Sequence, residues 1–159
     1  MTGLAFVATL SAALACGLVA GIFLAFSSFV MAALRRLPPA QGIAAMKSIN
    51  VLAVTPVFMT VLFGAGALCL GLAVWALIDA GGSTRASVLA GAAAYLAGAI
   101  GVTVAANVPM NDRLADVDPR VQGDVAYWDE YVERWTAWNH LRTAAALTAA
   151  AALTIALTV

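Results

Sequence analysis

Three stretches of this chain, residues 4 to 34, 51 to 78 and 86 to 106, contain no charged side chain. Each is as long as, or longer than, the roughly 20 residues that an α-helix needs to cross a hydrocarbon core about 30 Å thick. Lipid offers a backbone no water to bond with, so segments of this kind fold as helices. A fourth apolar run, Ala144 to Val159, reaches spanning length when it is extended back through His140 and Arg142. Hydrophobic residues make up 64% of the chain and charged residues 10%, whereas a soluble domain carries roughly a quarter charged residues. The expectation is an all-α, single integral membrane domain over residues 1–159. Its fold would be a four-transmembrane-helix bundle, with a short cytoplasmic helix after helix 1 and an extended helix 4.

The first run has no basic flank before it and is far longer than the apolar core of a signal peptide, about 7–15 residues, so it reads as an uncleaved span. With four spans, the segments 35–50 and 107–142 share one face. They hold Arg35, Arg36, Lys47, Arg113, Arg120, Arg134 and Arg142, against Arg85 alone on the other face. Basic loops stay in the cytoplasm. The expected location is therefore the cell membrane, multi-pass, with the long loops cytoplasmic and both termini outside.

Proline and glycine mark the breaks. Leu37-Pro38-Pro39 stops helix 1 and starts a short helix through about Asn50, since proline suits the first helical turn. Pro56 lacks an N–H and clashes with the preceding turn, so it kinks or restarts helix 2. Gly81-Gly82 lies in a tight outer turn between Asp79 and Ser87, and Pro109 and Pro119 shape the third loop. Asp118 is a candidate cap there.

Most of the charged residues fall between Asn107 and Arg142. At 100° per residue, Trp128, Tyr131, Trp135, Trp138 and Arg142 share one arc of helix 4, with Asn139 beside it and His140 away from it. Interfacial aromatic belts produce such stripes. Here, however, Asn107, Asn111, Trp138, Asn139, His140 and Arg142 converge at one depth, at the exit of helix 3 and the entry of helix 4, and Asn50 enters helix 2 on the same face. Polar groups at membrane depth are costly and mark functional sites. Asn107, Asn111, Asn139 and Arg142 are expected to form one hydrogen-bonded cluster, and a cytoplasm-facing cavity is expected with walls of Trp135 and Trp138 and a floor of Asn107 and Arg142.

Several chemistries are excluded. One His and no Glu-x-x-His cannot supply a di-iron or three-His zinc site, so no metal is expected, and a haem on His140 alone has no supporting motif. Cys16 and Cys69 read as small apolar groups. There is no nucleophile elbow, P-loop or dinucleotide fingerprint, and nothing points to nucleic acid.

Three segments carry a family resemblance: Phe-Leu-Ala-Phe-Ser-Ser-Phe-Val-Met at 23 to 31 with Leu-Pro-Pro-Ala-Gln-Gly at 37 to 42, Asn-Val-Pro-Met-Asn-Asp at 107 to 112, and Arg-Trp-Thr-Ala-Trp-Asn-His-Leu-Arg-Thr at 134 to 143. In these the chain resembles the anthrone oxygenase family of small four-span membrane proteins, over nearly its whole length. The resemblance implies that Asn107, Asn111, Trp135, Asn139 and Arg142 match the family's polar signature. It further implies oxidation of an anthrone-like or quinone-like polycyclic aromatic with O2 and no metal, flavin or other cofactor.

For that reaction His140 is the candidate general base, being the only side chain whose unperturbed pKa lies near neutrality. Arg142, Asn107, Asn111 and Asn139 would stabilise the enolate oxygen, while Trp135 and Trp138 stack on the flat substrate and Asn50 completes the site. The expected partners are a small hydrophobic aromatic substrate, O2 and membrane lipid, with a homo-oligomer left open. The competing expectation is a non-catalytic bundle that binds a quinone, a lipid or a partner protein.

Overall fold

The computed structural model describes residues 3–159, the side chains of 122–124 excepted, and it is helical throughout, with no strand among the described residues. Five continuous helices follow one another: α1 (Gly3–Arg35), α2 (Pro39–Ala53), α3 (Pro56–Ile78), α4 (Gly82–Asp116) and α5 (Gln122–Ala156). Among the described residues, α1, α3 and α4 are long and apolar enough to cross a membrane. The expected fourth span lies within α5, a helix of 35 residues. Asn139, His140, Arg142 and Thr143 dilute its apolar stretch, and it is not one of those three.

Prolines set two of the breaks where the sequence places them. Pro39 occupies the first turn of α2, which runs three residues beyond Asn50 to Ala53. Pro56 begins α3, where Thr55 caps the new helix by accepting from the Phe58 N–H at 3.5 Å. The outer turn is tighter than expected, because α4 starts at Gly82, whose φ of 53° lies in the left-handed region that glycine adopts without strain.

Pro109 departs from expectation. Rather than opening a loop it sits inside α4, which continues to Asp116. The residues ahead of it, Thr103–Asn107, take π-helical register, and the Val108 N–H bonds to the Thr103 carbonyl five residues back. That wider turn absorbs the mismatch created by a residue with no N–H. π-Helical register also runs over Ala94–Gly101 earlier in α4 and over Phe26–Val30 in α1. Lys47 closes the end of α4 by donating to the carbonyls of Ala115 and Val117, at 2.8 and 2.7 Å. In the turn that follows, Asp118 accepts from the Arg120 backbone and grips its guanidinium. The bound cation holds the Asp118 carboxyl down to about 2.

Helix α1 packs against α3 and α5, and α4 packs against the same two. Small residues make the contacts close. A Cβ on Gly98 would collide with the Ala145 side chain, so α4 meets α5 nearly backbone to backbone there. This half of the core holds Cys16, Val19, Cys69, Tyr95 and Leu153. Cys16 and Cys69 are free thiols with their sulfurs 3.9 Å apart. At the other end a second cluster, built on Met31, Ile43, Met46, Leu114, Trp128, Tyr131 and Trp135, fastens α2 onto α4 and α5. The polar groups lie between these two cores.

Candidate functional site

Arg142 turns from α5 into the protein and is only 5% exposed. One terminal nitrogen donates to Thr103 Oγ1 at 3.2 Å, the other to Asn139 Oδ1 at 2.7 Å. The Thr103 hydroxyl itself donates to the Ala99 carbonyl, which leaves its oxygen to accept from the guanidinium. The guanidinium carbon lies 4.3 Å from the Phe23 ring centroid and 5.0 Å from that of Trp135. Aromatic faces attract a cation in this position.

The charge is nonetheless uncompensated. Among the described residues no carboxylate pairs with Arg142, and its Nε is buried without a hydrogen-bond partner. Removing an ion from water carries an effective penalty of several kcal/mol, which two neutral acceptors and two rings offset only in part.

Asn139 holds this arrangement from behind. Its side-chain nitrogen donates to the Phe23 carbonyl and to Ser27 Oγ, both at 2.7 Å, tying α5 to the π-helical turn of α1. Across the site Asn111 performs a similar task, its Oδ1 accepting from the Tyr131 hydroxyl and the Trp135 indole, both at 2.8 Å. With its oxygen engaged twice, Asn111 has only amide hydrogens left to offer. Trp128, Tyr131 and Trp135 stack in series, with centroids 5.7 and 6.4 Å apart.

In front of Arg142 lies a cavity of about 480 Å³, walled by Phe23, Phe26, Met46, Ile49, Phe58, Met59, Leu62 and Trp135. Its polar lining is Asn50, Thr103, Asn111 and Arg142. A mainly apolar space with a few convergent polar groups is the usual form of a small-molecule site, about 300–1,000 Å³. A larger open groove of about 890 Å³ runs along α1 and α3 past Leu14, Gly64 and Trp75. It has no comparable polar end.

Four of the residues expected from sequence, Asn50, Asn111, Trp135 and Arg142, line the cavity. Asn139 stands behind Arg142. Asn107 is buried behind Trp135, donating to its carbonyl at 3.3 Å while its own Oδ1 stays unpartnered, so it is not the cavity floor. The expected single cluster is in fact two, Arg142 with Asn139 and Asn111 with Tyr131, joined through Trp135. Trp138 lies at the edge of the aromatic arc, 41% exposed, and does not line the cavity. His140 is exposed as well and is not part of the lining, because α5 presents the opposite face at that position.

Thr103, Ser27, Phe23 and Phe26 were not singled out from the sequence. Phe23, Phe26 and Ser27 lie within the 23–31 segment that carries the family resemblance, and the signal at Thr103 was a hydroxyl inside an apolar run. Among the described residues, no group of three or more His, Cys, Asp or Glu is placed to hold a metal ion.

Fold and site together define a helical protein suited to a membrane, with a buried cation facing an apolar cavity. The chain belongs to the anthrone oxygenase family, whose family model matches residues 57–152, more than half of its length. Comparison with curated proteins and with solved structures gives no match.

The double acceptor at Asn111 yields the first prediction. Asn111→Leu strands the Tyr131 hydroxyl and the Trp135 indole, each at a cost of about 1–3 kcal/mol. The purified variant should melt below wild type in a thermal unfolding assay. An unchanged melting temperature would show that these bonds do not hold α4 to α5.

Proposed function

We propose that this protein is a membrane-embedded oxygenase that uses O2 to oxidise an anthrone-like polycyclic aromatic to a quinone, with neither metal nor flavin. Family membership supports the reaction class. The observation that carries the assignment to this cavity is Arg142, a buried cation with no acidic partner among the described residues, aimed at an apolar space lined with aromatic rings.

In this reading α5 is the fourth span of the bundle. A length of roughly 20 residues counted back from Ala156 begins near residue 137, which puts Arg142 a little over one turn inside the apolar layer. The preceding part of α5 stands outside it on the cytoplasmic side, as the basic bias of segments 35–50 and 107–142 indicates, and both termini lie outside. Reporter fusions at the C-terminus test this. Activity of an externally active reporter fits the topology, and activity confined to a cytoplasmic reporter contradicts it.

The chemistry asks little of the protein. Loss of one proton from the methylene of an anthrone leaves an enolate with negative charge on its oxygen, and Arg142 stabilises that charge as an oxyanion hole does. The electron-rich carbon then reduces O2 and bonds to it. After a proton is taken up, a hydroperoxide stands on that carbon. Loss of the remaining C–H proton breaks the O–O bond, leaving a ketone, and the departing oxygen leaves as water. The substrate has lost two hydrogens and gained one oxygen, and both atoms of O2 are accounted for. Apolar walls exclude water, and Trp135 and Phe26 position the rings.

His140 lies outside the cavity lining and has no direct path to the methylene. A cation beside the enolate oxygen acidifies the substrate, so its proton passes to water without a side-chain base.

Purified protein given an anthrone under O2 should form quinone faster than a protein-free control, followed by absorbance. Removing one charge-stabilising donor typically costs about 100- to 1,000-fold in kcat. Arg142→Gln should fall by that order, with its helical circular dichroism retained, while His140→Ala stays close to wild type. Binding of the aromatic without turnover would favour a non-catalytic carrier, and a folded Arg142→Gln variant with full activity would move the reaction elsewhere.

A further inference from the structure

Arg142 is the most buried of the cavity's polar residues, and part of the apolar lining is exposed. Val54, Phe63, Val104 and Val108 belong to the lining yet are all well exposed, Val104 at 60%. They come from the residue that follows α2, the first turns of α3 and the second half of α4. No charged side chain lies among the lining residues at this mouth. A mouth ringed by aliphatic and aromatic groups, between two helices apolar enough to span a membrane, opens onto lipid rather than water.

At the inner end the requirement is the opposite. Arg142 is nine-tenths buried, with an Nε that lacks an acceptor. A ligand that satisfies both ends has an anionic or strongly accepting oxygen at one pole and apolar substance at the other.

We propose that the cavity is loaded sideways from the bilayer, through the opening between α3 and α4 at Phe63 and Val104. Its ligand is a membrane-partitioned phenol or enol, which enters oxygen first and leaves its apolar end in the lipid. This rests on the reading that the cavity is the substrate site, and adds to it a route and a substrate class, aromatics that carry an aliphatic substituent on the side remote from the oxygen. Only lipid-dissolved forms of such molecules meet the mouth. The aliphatic part needs no pocket of its own, because it never leaves the hydrocarbon.

The test uses full-length protein in phosphatidylcholine vesicles and three probes: 2-hydroxyanthraquinone and its butyl and octyl derivatives, alkylated on the ring remote from the hydroxyl. Binding is read from probe absorbance, with affinity expressed per mole fraction of probe in the lipid. If the chain stays in the bilayer, that affinity is the same for all three probes. If the mouth faces water, affinity falls roughly fourfold for each methylene drawn out of lipid, from about 0.8 kcal/mol per CH₂. If there is no opening, the octyl probe is rejected.

Either of the last two results, with the parent probe binding, overturns the lateral route and leaves the cavity assignment standing. Failure of the parent probe to bind wild type overturns both. Val104→Trp, which narrows the mouth without touching Arg142, should slow release of the octyl probe. Release as fast as from wild type would place the passage elsewhere.

Discussion

A guanidinium inside an apolar bundle has to be held by something, and the arrangement around Arg142 explains why the surrounding helices take the form they do. Thr103 reaches it from a π-helical turn of α4, and Asn139 reaches it from one turn earlier on α5 while bonding the π-helical turn of α1. Three helices are thereby fixed at one depth. The close approach at Gly98 and Ala145 brings α4 and α5 near enough for these short side chains to meet. π-Helical turns are rare and cluster at functional sites. Here two of the three among the described residues flank the one buried cation among them.

The same region supports the aromatic column. Asn111 draws both Tyr131 and Trp135 onto a single oxygen, and Trp128 stacks on Tyr131 below them. The column joins α5 to the short helix α2, which supplies Asn50, Met46 and Ile49 to the cavity. The site is therefore assembled from all five helices, although its two charge-bearing contacts come from α4 and α5 alone.

Much of this was legible in the sequence because composition and proline placement act locally. Uncharged runs give the apolar helices directly, and Pro39 and Pro56 start helices because a missing N–H costs nothing in a first turn. Arg142, Asn111, Trp135 and Asn50 could be found as polar or amphipathic residues at the ends of such runs. Pro109 misled, since the π register that accommodates it leaves no signature in residue type. Trp138 shows the limit of counting 100° per residue: the count places it on the helix circumference, but which part of that circumference faces a cavity depends on where α1, α3 and α4 stand. His140 was singled out for the ordinary pKa of a histidine, against a count that already sets it away from the arc. Thr103 and Ser27 illustrate the converse, hydroxyls that look like ordinary tolerated residues in a span until the helix packing brings the guanidinium and Asn139 to them.

The central claim is that Arg142 makes the cavity an anion site, and the ionisation of a bound probe reports on it directly. Apolar burial by itself raises the pKa of a phenol, whereas an adjacent cation lowers it. The two effects have opposite signs. For 2-hydroxyanthraquinone in phosphatidylcholine vesicles, titrated by absorbance with and without the protein, the account predicts that the bound hydroxyl ionises at least about one unit lower than in lipid, about 1.4 kcal/mol of differential interaction. The shift should vanish in Arg142→Gln. A bound probe whose pKa equals or exceeds its value in lipid alone would contradict the account.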